Sequence, residues 1–233
     1  MLQRDRAAGS GLPEQGVDQP PTAVLRGISE AFEPGPDLEI LHDLLRPVHL
    51  EEDCRAVAEQ LLEAFGSVGR ALAASHEHLA SLVGGPAAFR LNTSQRLLQH
   101  VLRERLRERP VIASWRALEE YLSVALRHER SEKLLVLFLD NKNGLIRDEV
   151  VHEGTVEHVP IYPREIAKRA LQLDASAVIM VHNHPSGDAS PSTDDIEMTK
   201  RVIAALAALD IAMHDHAIVG RNEVVSLRRL GAL

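Results

Sequence analysis

Residues 175–195 of this 233-residue chain read ASAVIMVHNHPSGDASPSTDD and carry its most informative pattern. Residues 175–181 form an apolar run that is typical of a buried strand. Because strand side chains alternate between the two faces, His182 and His184 are expected to point to the same side. Residues 185–187 (Pro-Ser-Gly) then predict a turn, and a helix is expected to begin at the end of the stretch.

Asp195 lies in the first turn of that predicted helix and has two alternative roles. Two imidazoles and one carboxylate could hold a metal ion and leave a fourth position for water, as catalytic zinc sites do. Ser192 and Asp195 also have the spacing of a capping box, with serine at the N-cap and an acid three residues on. On spacing alone, capping is favoured over metal binding. The two roles are partly compatible, because Asp195 could bind a metal while Ser192 caps the helix.

Two other His-x-His pairs occur in the chain. His76 and His78 lie in a helical run, where an offset of two residues turns the rings apart, so we interpret them as solvated. His214 and His216 lie in a predicted strand, where packing or hydrogen bonding to other metal ligands is favoured over ligation.

Composition narrows the class of protein. The formal net charge is −8, aromatic residues make up 3%, and Cys54 is the single cysteine. An acidic chain with few aromatics is a poor candidate for coating nucleic acid or stacking bases. One cysteine excludes a disulfide framework within the chain and favours a reducing, cytoplasmic location. No apolar run is long enough for a membrane span, so we expect no membrane partner.

The pattern along the chain predicts three parts. Residues 1–37 are rich in Gly, Pro, Ala, Gln and charge, which predicts a disordered tail. Residues 38–112 are predicted to form a small all-helical domain and residues 113–233 an α/β domain with a mixed sheet. Helices are predicted at 38–45, 57–65, 72–83, 94–109 and 115–129, then at 163–173 and from Ser192. Strands are predicted at 134–139, 145–151, 155–162, 175–181, 211–219 and 223–227.

These motifs resemble a known family. His182-x-His184-Pro followed by Ser192-x-x-Asp195, with eleven residues from His184 to Asp195, resembles the JAMM metalloprotease motif of the MPN/JAB superfamily. The longer string VHNHPSGD at residues 181–188 resembles the RadC family in particular. Further matches to that family are EGT at 153–155, PREI at 163–166, ASAVI at 175–179 and DH at 215–216. The resemblance covers about residues 115–233.

The resemblance implies a fold and a set of site residues. The α/β part would be a JAB/MPN domain with the three-layer α/β/α arrangement of cytidine deaminases. His182, His184 and Asp195 would hold one zinc ion, although such ligands also suit iron or manganese. Ser192 would hydrogen-bond the oxyanion. Glu149, five residues before Gly154, fits the catalytic base best, with Glu153 as the runner-up.

The function implied is that of a zinc-dependent metallopeptidase or isopeptidase acting on a peptide or protein substrate. The helical part also resembles the RadC N-terminal region, through AEQLL at 58–62 and FG at 65–66. That region usually ends in a helix-hairpin-helix with a Gly-Ile-Gly-like hairpin, and LVGGP at 82–86 stands in its place. This difference weakens the expectation of DNA binding. Residues 88–133 nevertheless carry ten Lys/Arg against six Asp/Glu, so a DNA-binding or repair accessory protein with a structural metal remains the alternative.

Overall fold

The structure, a computed structural model, describes residues 35–48, 51–108, 110–153 and 162–233. Almost all of the predicted tail, residues 1–34, lies outside the described residues. The described chain begins with a helical region, followed by an α/β region. The helices of the first region are α1 (Pro36–Leu45), α2 (Glu51–Phe65), α3 (Val68–Ala73), α4 (His76–Val83) and α5 (Gly85–Glu108). Their inward faces share one hydrophobic core, which includes the fully buried Leu41, Leu45, Leu61, Leu79 and Leu91.

Two helix boundaries differ from the sequence prediction. The helix predicted at 72–83 is two helices, because Ser75 interrupts it and caps α4 by accepting a hydrogen bond from the His78 amide. The helix predicted from Ser94 begins nine residues earlier, at Gly85. Gly84 ends α4 with a φ of +82°, and Pro86 suits the first turn of α5, where a missing amide proton breaks no helical hydrogen bond.

The α/β region holds a five-stranded mixed sheet. A 3₁₀ turn (Val111–Ala113) and α6 (Trp115–Leu126) lead into it. Its elements are β1 (Lys133–Leu139), β2 (Leu145–Glu153), α7 (Pro163–Gln172), β3 (Ala177–Asn183), α8 (Thr193–Ala207), β4 (Ala212–Val219) and β5 (Val224–Ser226). The spatial order is β2-β1-β3-β4-β5, with β3 and β4 parallel and the other neighbours antiparallel. The strand predicted at 155–162 lies outside the described residues except for Tyr162, which precedes α7.

Helices cover both faces of this sheet, so the predicted three-layer α/β/α fold is confirmed. On one face, α6 and the end of α5 pack on alternate residues of β1 and β3, such as Leu137 and Ile179. On the other face, α7 and α8 pack on the intervening residues, such as Val136 and Met180. Strands buried on both faces are apolar throughout, which explains why β1 reads as an unbroken hydrophobic run. The domain boundary near residue 112 stays a prediction.

The crossover from β3 through α8 to β4 positions the functional site. Because β3 and β4 are parallel, α8 must begin near the carboxyl end of β3. The last residues of β3 and the first turn of α8 therefore meet at one edge of the sheet. In the part of the chain that the structure describes, no helix is long and apolar enough to cross a membrane.

Candidate metal centre

The two histidines of the motif meet at the end of β3. His182 is in the strand and is 2% exposed, and His184 follows one residue after its end. The period of two puts both rings on the same side, as predicted, and their Nε2 atoms are 2.9 Å apart. The side chain between them, Asn183, points away and fastens the chain entering β1: its Oδ1 accepts from the Lys133 amide and its Nδ2 donates to the Ser131 carbonyl.

The structure confirms the capping role of Asp195 and also places its carboxylate beside the two histidines, so metal binding stays a prediction. Its Oδ2 accepts from the Ser192 amide (2.8 Å) and the Ser192 hydroxyl (2.6 Å), while the Asp195 amide donates to Ser192 Oγ. These bonds form the capping box of α8. Oδ1 lies 3.2 Å from His182 Nε2, and Oδ2 lies 3.6 Å from His184 Nε2. The capping box fixes the carboxylate through Oδ2 and leaves Oδ1 facing His182.

The resulting triangle of donor atoms fits a metal ion. One donor atom from each of His182, His184 and Asp195 lies within 4.8 Å of the other two. Two nitrogens bound to a tetrahedral zinc ion at about 2.0–2.1 Å are about 3.3 Å apart. The two Nε2 atoms are 2.9 Å apart, and the shortest separations to the carboxylate are 3.2 Å from His182 to Oδ1 and 3.6 Å from His184 to Oδ2. His184 and Asp195 are only partly buried, so solvent reaches the triangle.

A chain of hydrogen bonds fixes which nitrogen of His182 faces the triangle. Thr199 Oγ1 lies 2.5 Å from the Asp195 carbonyl, which can only accept, so the hydroxyl proton points there. Thr199 must then accept from His216 Nδ1, 2.6 Å away. With its proton on Nδ1, neutral His216 accepts at Nε2 from His182 Nδ1, 2.8 Å away. His182 Nε2 is therefore left with a free lone pair directed at the triangle. We call Thr199, His216 and His182 the tautomer relay.

A hydrogen bond also fixes the tautomer of His184. His184 Nδ1 lies 2.7 Å from the Asp188 carbonyl and must donate to it, so neutral His184 also presents a bare Nε2. Two lone pairs and a carboxylate thus converge on one point, an arrangement that requires a cation, either a proton or a metal ion. The hydrogen bond to Asp195 raises the pKa of His184, so without metal this imidazole supplies the cation by holding a proton.

Asp195 and His216 have shifted pKa values that suit these positions. Burial alone would raise the pKa of Asp195, but the imidazoles of His182 and His184 and the hydroxyl of Ser192 stabilise the ionised carboxylate and hold that pKa far below its usual range. Burial keeps the pKa of His216 well below its ordinary value. Asp195 is therefore ionised and His216 neutral near neutral pH, as the tautomer relay requires.

The loop from β3 to α8 is held in place by the turn between β4 and β5. The His184 amide donates to the Val219 carbonyl, and the Arg221 amide donates to the Gly187 carbonyl. A Cβ at Gly220 would lie 2.8 Å from that same carbonyl oxygen and 2.9 Å from Ala189 Cβ. The absence of a side chain at Gly220 therefore lets the loop carrying His184 pack directly on the turn.

The remaining predicted site residues lie at different distances from this group. Ser192 adjoins it, with its hydroxyl proton directed at Asp195. Glu149 lies on β2, and Arg169 of α7 donates to both of its oxygens, at 2.7 and 2.5 Å. Glu153, at the end of β2, contacts Ser131 and Lys133. Neither glutamate belongs to the donor triangle, so their assignment as base stays a prediction.

Sequence reasoning missed Thr199 and assigned His216 only in general terms. His216 does bond to another ring, as the favoured interpretation of the second pair stated, whereas His214 turns away to Asn143. Thr199 is one helical turn after Asp195 and fully buried, yet a threonine within a helix carries no signal by itself.

Comparisons with known proteins agree with this geometry. Residues 112–232 match the family model described as a RadC-like JAB domain. A UPF0758 protein of Rhodobacter capsulatus is 45% identical over 211 residues, which cover 90% of this chain and 97% of that protein. A UPF0758 protein of Ruegeria pomeroyi is 44% identical over 200 residues, covering 85% of this chain and 89% of the relative.

Proposed function

The chain belongs to the RadC family and carries its JAB/MPN domain, and on that premise we propose that it is a zinc-dependent hydrolase of peptide or isopeptide bonds. The observation that carries the proposal is the donor triangle of His182, His184 and Asp195. Both imidazoles are held as tautomers with a bare Nε2 facing an ionised carboxylate. A site built only for structure has no need to leave one side of such a triangle open to solvent.

The proposed chemistry assigns one role to each side chain around the triangle. A zinc ion held there would polarise a carbonyl group and lower the pKa of water toward about 7. Glu149 accepts the proton of the attacking water and returns it to the leaving amine. Ser192 stabilises the oxyanion, for which its hydroxyl must rotate away from Asp195.

The position of Glu149 on the sheet supports its role as the base. Glu149 pairs with Val136 and Val136 with Met180, so Glu149 shares a sheet face with His182 and α8. Glu149 lies two strand spacings, about 9.5 Å, across the sheet from Met180, and His182 is two residues further along β3. Arg169 lowers the pKa of Glu149, so this pair must open for the carboxylate to take a proton.

We expect the purified protein to bind one zinc ion per chain and to cleave a peptide library only while the metal is bound. Loss of a residue that only hydrogen-bonds a metal ligand weakens metal binding by about 10- to 100-fold. Asp195→Asn removes a ligand itself and should weaken zinc binding by more than that. Elemental analysis and mass spectrometry of the digested library measure the two effects. Asp194→Asn is the matched control, because it removes the neighbouring exposed carboxylate from the same helical turn. Cleavage that survives both chelation and Asp195→Asn would exclude the proposed function.

The affinity for zinc is expected to rise with pH across the neutral range. Since the pKa of His184 is raised, the metal-free site holds a proton that zinc must displace. Below the folded-state pKa of His184, each pH unit should strengthen binding by up to about tenfold, and above it the dependence should level off. Competition with a chelator of known pH dependence measures this slope. If the zinc affinity, corrected for the pH dependence of the chelator, stayed constant from acidic to neutral pH, zinc would not displace a proton from His184.

A further inference from the structure

A cleft of 820 Å³ opens beside the donor triangle. The end of α2, α3 and the start of α4 form one wall, and the segment between α6 and β1 forms the floor. The opposite wall includes His184, which is also a corner of the triangle, and Arg221 from the turn that supports it. Asn183 ties the floor to the end of β3, so the cleft and the triangle share one framework.

The lining of the cleft is strongly cationic. Four arginines, Arg70, Arg127, Arg130 and Arg221, face it, and we call it the arginine cleft. None of the four has a salt bridge among the described residues, whereas the carboxylates of Glu129 and Glu153 both contact Lys133. In a chain whose net charge is −8, an excess of positive charge in one concave site focuses an attractive field on anions.

His128 shows that the positive charges act together. It packs between α3 and the end of α6, so close that a Cβ at Gly69 would lie 2.5 Å from its Nε2. Burial lowers the pKa of His128, and the charges of Arg127 and Arg70 lower it further. The guanidinium groups of Arg70, on one wall, and Arg127, on the floor, therefore act on the same volume.

We propose that the arginine cleft binds an acidic segment of a polypeptide and presents the adjoining bond to His182, His184 and Asp195. This proposal rests on the proposed function and names the substrate class for it. Guanidinium groups bind carboxylates through paired, charge-assisted hydrogen bonds, which makes arginine the suitable residue for such a site.

The shape of the cleft favours a peptide over nucleic acid. Its volume falls within the about 300–1,000 Å³ that encloses a small ligand or a few residues of chain. Sites for single-stranded nucleic acid combine positive charge with aromatic side chains on which bases stack. Phe65 is the one Phe, Tyr or Trp residue among the lining residues that the structure describes.

The test is a binding measurement on metal-free, full-length protein. A fluorescent glutamate-rich peptide is titrated beside the same peptide with glutamine at every glutamate, and beside a single-stranded oligonucleotide of equal charge. We expect the glutamate peptide to bind most tightly. Arg70→Gln combined with Arg221→Gln should weaken it by roughly tenfold or more. The matched control, Arg96→Gln combined with Arg201→Gln, removes equal charge from exposed helix positions outside the cleft and should change affinity by about twofold at most.

Three outcomes would overturn the proposal: equal affinity for the glutamate and glutamine peptides, equal losses in both double variants, or tighter binding of the oligonucleotide. The last would assign the cleft to nucleic acid. Because the protein is free of metal, binding is measured apart from hydrolysis. If the protein binds the acidic peptide but the zinc-loaded protein hydrolyses no peptide, only the proposed function is contradicted. If it hydrolyses peptides but does not prefer the acidic one, only the role of the arginine cleft is contradicted.

Discussion

Glu149→Gln is expected to lower turnover of a cleaved peptide by about 10²–10⁴-fold while the zinc content stays at the wild-type level. Glutamine keeps the size of the side chain and can still accept a hydrogen bond from Arg169, but it cannot take a proton from water. Glu149 is outside the donor triangle, so its replacement removes no metal-facing atom. Steady-state kinetics and elemental analysis of the same preparation separate the two effects.

Glu153→Gln is the matched comparison, because Glu153 is the other glutamate of β2 and lies at its end. It pairs with Lys133, and its side chain contacts Ser131 and Lys133 on the floor of the arginine cleft. We expect a change in turnover of only a few fold, since an exposed ion pair is worth about 0–1 kcal/mol. If Glu153→Gln lost turnover and Glu149→Gln kept it, the base would be Glu153. If neither lost turnover, neither glutamate of β2 would be the base.

The sequence predicted the parts of the site that depend on local periodicity. The alternation along β3 sets His182 and His184 side by side, and the capping box sets the carboxylate of Asp195 at the start of α8. Both patterns involve residues that are close together in the sequence, either along one strand or in the first turn of one helix. That is why the three corners of the triangle and the fold class could be found from residue order.

The missed features depend on how distant elements pack. His216 reaches His182 because β4 lies next to β3, with Met180 opposite His216, and Thr199 completes the tautomer relay from a helix above both strands. No local pattern encodes such a contact. The early start of α5 has a different cause: Gly84 and Pro86 predict the end of one helix, but Pro is equally suited to the first turn of the next.

The arrangement of Arg169 and the arginine cleft was also beyond local patterns. Arg169 meets Glu149 because α7 packs over the face of β2 that carries it. The arginines of the cleft are spread from Arg70 to Arg221, and only the tertiary fold brings their charges together. An acidic net charge for the whole chain disfavours a general coat for nucleic acid, and it gives no sign of this local excess of positive charge.

Thr199→Val is expected to weaken zinc binding by about 10- to 100-fold, although Thr199 lies outside the donor triangle. Valine has nearly the same shape but cannot accept the proton on His216 Nδ1. That proton is then more stable on His216 Nε2, from which it is donated to His182 Nδ1. The proton of His182 must move to its Nε2, the atom that faces the triangle. Zinc would have to reverse both tautomers in order to bind.

Nitrogen chemical shifts of the imidazole rings in metal-free protein measure this change directly, because they identify which ring nitrogen carries the proton. We expect Nδ1 protonation of both His182 and His216 in the wild type and Nε2 protonation of both in Thr199→Val. Thr199→Ser keeps the hydroxyl group and should restore both the wild-type tautomers and zinc affinity, whereas a loss caused only by altered packing would persist in the serine variant. Wild-type tautomers in Thr199→Val would show that the hydroxyl of Thr199 does not set the direction of the relay.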